Sequence, residues 1–215
     1  MLWERLGVCS NATTLGGLQT PEGIVAVGQD IPALIAATFG NDECDRFLGY
    51  HPDSTDLQQS AKLGAEVLRR SPPQAGACTY ITAMWAALLR DNLDLPAFAV
   101  AGDLWVRGVP AFGSSETAVA RSLETSCDQW DGHCWLALGE FIGDASLFRT
   151  AYAQPEGSNL RIAVVEEFGL GKGLLLATST DLRDSGFDFR PKYVLRDDQL
   201  STLVEGAHRS GLLGG

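Results

Sequence analysis

The order of apolar and polar positions predicts helices in the first half of the chain and strands in the second. The polar run 52–56 offers several capping side chains, and the apolar positions after it recur at helical spacing as far as Arg70. Ser71-Pro72-Pro73 then ends this helix. A second helix is predicted from about Cys78 to Arg90, and we expect it to be buried because it is apolar on nearly every side.

The β-prone segments begin after Pro96. Strands are predicted at 97–101, 133–138, 141–144, 161–165, 174–177 and 192–195. Residues 104–106 are predicted to be another strand or a continuation of the first after a bend at Gly102-Asp103. The strands on either side of Gly139-Glu140 are predicted to form a hairpin, and residues 108–129 to form a loop with room for one short helix. A last helix begins at Asp197 or Asp198. Because helices come first and strands later, the pattern favours an α+β fold, with a helical N-terminal part packed on an antiparallel β-sheet.

The composition indicates one domain. The chain has 215 residues, 45% of them hydrophobic, which is enough for a sizeable core. We place the core of this domain at about residues 56–196. Residues 1–50 are rich in Gly, Thr and Asn, and we interpret them as an irregular N-terminal extension with one possible helix at 31–38.

Charge and cysteine content narrow the function classes. A net charge of −11 disfavours binding to nucleic acid and to anionic membranes. The start shows no signal-peptide pattern, and no apolar run approaches the roughly 20 residues of a membrane span. Five irregularly spaced cysteines fit neither a zinc pattern nor a disulfide framework. We therefore expect reduced thiols, a cytoplasmic location, and no metal or other cofactor.

Cys78 is the strongest candidate for a reactive residue. It follows a loop and opens the buried helix, where unpaired backbone N–H groups and the helix dipole favour a thiolate. The same N–H groups can face the oxygen of a carbonyl that the sulfur attacks. A structural reading, in which Cys78 is a small apolar helix residue, is the alternative for any buried cysteine.

His133 and Asp144 are the candidate partners of Cys78. A histidine can take the proton of a thiol near neutral pH, and the chain has three histidines. Asp144 ends the second strand of the predicted hairpin and His133 begins the first, so the fold can bring them together. The carboxylate would then orient the imidazole.

Two ordered patterns contain these residues. The first is Gly76-Ala77-Cys78 at a helix start, followed by the apolar helix and the strand Leu95–Gly102. The second is His133-Cys134-Trp135, an apolar strand, a turn, and a strand ending in Asp144 and small residues. Together they resemble the transglutaminase-like core of the papain-like cysteine protease superfamily, over about residues 74–150. The resemblance implies that Cys78 is the nucleophile, His133 the base and Asp144 the orienting residue.

Other residues near the patterns have open roles. Gln74 is a candidate oxyanion donor, although its spacing from Cys78 also fits a solvated loop residue. Trp135 shares the predicted strand face of His133, where it would either wall a substrate site or fill the core. Cys134 points to the opposite face and is expected to be a core thiol. The glycine-rich run 169–173 lacks P-loop spacing and is predicted to be a turn between strands.

A Cys-His-Asp site attacks a carbonyl and forms a thioester. Transfer of the acyl group to water makes a peptidase or amidase, and transfer to an amine makes a transglutaminase or N-acyltransferase. We expect hydrolysis of a peptide or amide bond in a protein or peptide substrate. Two alternatives stay open. The domain can be a catalytically inactive module that binds a partner, or a toxin or effector that modifies another protein by the same chemistry.

Overall fold

Four helices form the first part of the fold in the computed structural model, which describes residues 30–71, 77–113 and 132–209. These helices are α1 (Ile31–Phe39), α2 (Asn41–Leu48), α3 (Ser54–Arg70) and α4 (Ala77–Leu93). The two long helices confirm the predictions around 56–70 and 78–90. At the start of α3, Asp53 accepts hydrogen bonds from the N–H groups of Thr55 and Asp56, and the Asp56 side chain accepts one from the N–H of Asp53. This reciprocal cap explains why the helix begins at Ser54.

The possible helix at 31–38 is confirmed by α1, while α2 corrects the expectation that the rest of the extension up to residue 50 is irregular. Asp30 caps α1 by accepting a 2.9 Å hydrogen bond from the N–H of Ala33. Gly40, with a φ of +94°, separates α1 from α2. Residues 1–29 lie outside the described residues.

Six strands form one antiparallel sheet. They are β1 (Ala97–Val106), β2 (Val109–Phe112), β3 (His133–Leu138), β4 (Phe141–Asp144), β5 (Leu175–Thr178) and β6 (Phe187–Val194). The sheet order is β2-β1-β3-β4-β5, and β6 also pairs with β1. On β1, Gly102 pairs with His133 and Leu104 pairs with Phe112, while both also have partners on β6. Hence β2 and β3 lie end to end on one edge of β1, and Phe112 comes next to His133.

Four more helices complete the described part of the chain, and the antiparallel curled sheet with its helices confirms the α+β class. They are α5 (Leu147–Ala153), α6 (Asn159–Phe168), α7 (Ser179–Asp184) and α8 (Asp197–Arg209). The strand predicted at 161–165 is wrong, because these residues belong to α6, which is capped by Ser158 and buries residues at helical spacing. The glycine-rich run 169–173 therefore joins a helix to a strand, not two strands.

Residues 97–106 form one continuous strand, which is the second of the two alternatives for 104–106. In contrast, β2 lies within the interval predicted to be a loop. Most of that interval, 114–129, lies outside the described residues. Among the residues that are described, no helix is both long and apolar enough to cross a bilayer.

The two faces of the sheet are covered by different helices. Small residues on β1, such as Ala99 and Ala101, pack with Cys134 and Leu136 of β3 against α4. On the other face, Trp135 packs in a cluster that includes residues of α1, α5 and α6. Residues of a strand alternate between faces, so His133 shares the face of Trp135. His133 is the first residue of β3, and the first turn of α4 lies beside this same end of the strand.

Candidate active site

Cys78 lies in the first turn of α4 as described and is half-buried. Its Sγ atom is 3.8 Å from Oγ1 of Thr79. One turn further along, the Thr82 hydroxyl donates a 3.2 Å hydrogen bond to the carbonyl oxygen of Cys134, the residue after His133. This bond fixes the first turns of α4 beside the start of β3. It therefore places the thiol near the imidazole.

The hairpin brings His133 and Asp144 onto one face of the sheet. Leu136 pairs with Gly143 across the hairpin, and the same register sets Asp144 opposite Trp135. Residues opposite each other share a face, so Asp144 lies diagonally across from His133. The His133 Nε2 atom is 2.5 Å from Oδ2 of Asp144. Both side chains are buried, with 2% and 0% of their surface exposed.

The tight turn between β3 and β4 determines this register. Gly139 adopts a φ of +56°, and a Cβ atom there would lie 2.7 Å from the carbonyl oxygen of Tyr50. A residue with a side chain is disfavoured on both grounds. The turn consists of Gly139 and Glu140 alone, so the two strands cannot shift against each other by one residue. Such a shift would place Asp144 on the face of the sheet that packs against α4.

The other oxygen of Asp144 is held by the start of α5. Its Oδ1 atom accepts hydrogen bonds from the backbone N–H of Ser146 at 2.8 Å, the Ser146 hydroxyl at 3.0 Å and the N–H of Leu147 at 2.9 Å. Three donors on one oxygen fix the carboxylate and leave Oδ2 for His133. Ser146 was not among the residues singled out from the sequence, although an Asp followed two residues later by Ser before an apolar run is a recognisable turn signal.

The charge state of His133 follows from these neighbours. Burial favours the neutral ring and lowers the pKa, but the charge of Asp144 and its hydrogen bond, followed by a hydrogen bond and a charge interaction with Cys78, outweigh it. The pKa of His133 is raised to about 10. Since Nε2 faces Asp144, Nδ1 is the ring nitrogen left for the sulfur. Near neutral pH the imidazole is therefore a cation between the carboxylate of Asp144 and the sulfur of Cys78.

Aromatic rings surround His133. Phe112 stacks on the imidazole with 4.9 Å between ring centroids and 13° between planes, and the rings of Phe189 and Trp135 lie 6.0 Å and 6.3 Å away. These rings exclude water from one side of the ion pair. The contact with Phe112 has no local sequence signal, because it depends on two strands meeting end to end along β1.

The remaining predicted residues have different outcomes. Gln74 lies outside the described residues. Trp135 is fully buried, so it forms the floor beneath His133 and offers no open surface to a substrate. Cys134 is also fully buried and packs on the α4 face, as expected of a core thiol. Elsewhere, His51 is exposed between α2 and α3.

The site therefore unites three elements that are distant in the chain, with Cys78 from α4, His133 from β3 and Asp144 from β4. The arrangement can hold a proton at the ring nitrogen that faces the sulfur while the other nitrogen is held by a fixed carboxylate. Comparison with models of known protein families, with curated proteins and with solved structures gave no match.

Proposed function

We propose that this protein is a cysteine-dependent hydrolase that cleaves a peptide or amide bond through a thioester on Cys78. The observation that carries the proposal is the buried His133–Asp144 pair, whose imidazole also meets the thiol of a residue at the start of a helix. We assign the fold within the α+β class to the papain-like, transglutaminase-like type, on the order of Cys, His and Asp and on the pairing of the His and Asp strands.

The chemistry proceeds in two half-reactions. The Cys78 sulfur, as a thiolate beside the His133 cation, attacks the carbonyl carbon of the substrate, and the carbonyl oxygen becomes an oxyanion. Backbone N–H groups in the first turn of α4 face this oxygen and stabilise its charge. His133 then gives its proton to the leaving amine as the C–N bond breaks. This leaves a thioester on Cys78.

In the second half-reaction, neutral His133 takes a proton from water, and the resulting hydroxide attacks the thioester carbon. The C–S bond breaks and releases a carboxylic acid, while the thiolate and the imidazole cation form again. Asp144 stays charged throughout and keeps the ring oriented, with Nδ1 toward the sulfur. An amine in place of water would give a new amide, which is the transglutaminase or N-acyltransferase alternative.

Mass spectrometry tests both half-reactions. The chain is incubated with a mixture of peptides and primary amines, quenched in acid, and mapped for acyl adducts. We expect an acyl group on Cys78, with free acid as the main product. Its loss in Cys78→Ala should contrast with Cys44→Ala, since Cys44 is another half-buried thiol, bonded at 3.3 Å to the Pro32 carbonyl.

The products of this experiment distinguish hydrolysis from acyl transfer to an amine and from a binding module. New amides in place of free acid would show that the acceptor is an amine and not water. The absence of any adduct on Cys78, together with alkylation by iodoacetamide no faster at Cys78 than at Cys44, would contradict the proposal and favour a binding module.

A further inference from the structure

The indole ring of Trp85 fills the space between α4, α3 and β4. It is fully buried, and its Nε1–H group donates a 2.9 Å hydrogen bond to the carbonyl oxygen of Ser60 on α3. A Cβ atom added to Gly64 of α3 would lie 2.7 Å from Cε2 of the ring, and one added to Gly143 of β4 would lie 2.5 Å from Cη2. The ring therefore lies directly on two glycines, one in each neighbouring element.

The contact with Gly143 joins two elements that carry the site. Trp85 follows Cys78 by two helical turns, so the two residues lie on the same face of α4. Gly143 directly precedes Asp144 on β4. Because Asp144 points away from α4, the side-chain position of Gly143 points toward α4. Trp85 thus occupies the space that any side chain at residue 143 would need.

We propose that Trp85 is a positioning residue for the triad, which sets the spacing between α4 and β4 and so holds Cys78 and Asp144 on opposite sides of His133. The inference rests on the proposed function, since it concerns the geometry of the same site. The ring is rigid, and its hydrogen bond to Ser60 prevents it from turning away from β4. A side chain at residue 143 would push β4 off α4 and move Asp144 relative to His133.

The chain offers a matched pair of substitutions on this ring. Gly143→Ala sets a methyl group against Cη2 and Cζ3 of Trp85, at 2.5 Å and 2.8 Å. Gly64→Ala sets one against Cε2 and Cζ2, at 2.7 Å and 2.8 Å. Both crowd the same side chain to a similar extent, but only Gly143→Ala acts through β4. Both are expected to unfold at lower denaturant concentration than the natural chain.

Two readouts separate a positioning role from a general packing role. The first is the titration of His133 by NMR of its imidazole, assigned by its loss in His133→Gln, and the second is the rate of Cys78 alkylation by iodoacetamide at pH 7. In Gly143→Ala we expect the His133 titration to move down by about one pH unit or more and the alkylation rate to fall about tenfold. In Gly64→Ala we expect the alkylation rate to stay within about twofold.

A second variant keeps the inference testable if Gly143→Ala does not fold. Trp85→Phe removes the hydrogen bond to Ser60 and shortens the reach toward β4 without adding an atom. We expect a fall of about fivefold in Cys78 alkylation, with a parallel move of the His133 titration. Trp105→Phe is the matched control, because Trp105 packs under Arg190 on another part of the sheet. It should leave both readouts unchanged.

The inference is overturned if folded Gly143→Ala or Trp85→Phe leaves both readouts unchanged, or if Gly64→Ala changes them as much as Gly143→Ala does. Neither readout requires turnover. A failure of the positioning role therefore differs from a failure of the proposed function, which would appear as a natural chain that forms no acyl adduct on Cys78.

Discussion

Two pairs of opposite charge join strands of the same sheet, yet they are built differently. Asp103 of β1 meets Lys192 of β6, with Nζ 2.8 Å from Oδ1 and 2.7 Å from Oδ2, and the two side chains keep 15% and 23% of their surface exposed. His133 of β3 meets Asp144 of β4 with 2% and 0% exposed. The first pair stays in contact with water, and the second is sealed by aromatic rings and by the start of α5.

The difference shows what each pair is suited to do. The pair of Asp103 and Lys192 is a partly exposed ion pair that holds β1 to β6. Burying a histidine with a carboxylate is costly unless the geometry is good and the remaining polar atoms are satisfied. At His133 the second ring nitrogen faces a thiol. We infer that the buried pair serves proton transfer, whereas the partly exposed pair serves stability.

The different roles of the two pairs are tested most sharply by neutralising each carboxylate in turn. Asp144→Asn keeps the size of the side chain but removes the charge that holds the His133 cation. We expect acylation of Cys78 to slow by about 1,000-fold. Asp103→Asn should change the same rate by less than about twofold and lower the free energy of unfolding by about 1 kcal/mol or less. Single-turnover kinetics with an activated ester measures both variants, and similar losses of rate would contradict the division of roles.

The pH dependence of stability tests the electrostatics of the buried pair. The pKa of His133 is raised from 6.5 to about 10, so below pH 6.5 the ring is protonated in the folded and unfolded chain alike and its stabilisation is fully present. Between these values only the folded chain holds the proton, and the free energy of unfolding falls as pH rises. The loss should be on the order of 5 kcal/mol and complete above about pH 10.

Urea denaturation from pH 6 to pH 10.5 measures this loss. His133→Gln should remove most of the decline in stability, while Lys192→Met should retain it because the partly exposed Asp103–Lys192 pair is not its source. A natural chain whose stability is level over this range would show that the imidazole does not hold an extra proton.

A smaller effect is expected from the aromatic cover on His133. The face of Phe112 lies on the imidazole, and an aromatic face stabilises a cation more than a neutral ring. In Phe112→Leu we expect the pKa of His133 to fall by about half a unit. Val109→Ala, on the same strand but half-exposed, is the control. An unchanged His133 titration by NMR would leave Phe112 as packing alone.

The parts of the structure that were predictable depend on local signals. Asp53 and Asp56 form the cap that begins α3, and Ser71 is the C-cap at its other end, directly before two prolines in the sequence. Gly139-Glu140 is a two-residue turn between apolar strands, which is sufficient to predict the hairpin of His133 and Asp144. For these elements, the chain a few residues away determines the conformation.

In helix α6 the β-branched residues favour a strand, while the spacing of the apolar positions favours a helix. Ile162, Val164 and Val165 favour a strand by propensity. The buried residues are instead Leu160, Ala163, Val164 and Phe168, which is helical spacing. The Ser158 hydroxyl caps the helix by accepting a 3.2 Å hydrogen bond from the N–H of Arg161. The capping residue and the spacing of the apolar positions are both visible in the sequence and together predict a helix.

Other features have no local signal. The stacking of Phe112 on His133 requires β2 and β3 to follow one another along β1. The packing of Trp85 on Gly143 requires α4 to cross β4 at the position of Gly143. Residue types alone can propose the three members of the site, but the distances among them come from tertiary packing.

The central claim is that Cys78, His133 and Asp144 act as one unit, and a double-mutant comparison of Cys78 alkylation tests it most directly. The rate of iodoacetamide reaction at Cys78 is measured at pH 7 in the natural chain, Asp144→Asn, His133→Gln and the double variant, with Cys44 as the internal reference. If Asp144 acts through His133, the Asp144→Asn change slows the reaction when His133 is present and adds nothing when it is replaced. Equal, multiplying losses in both backgrounds, or no loss in either, would contradict the triad.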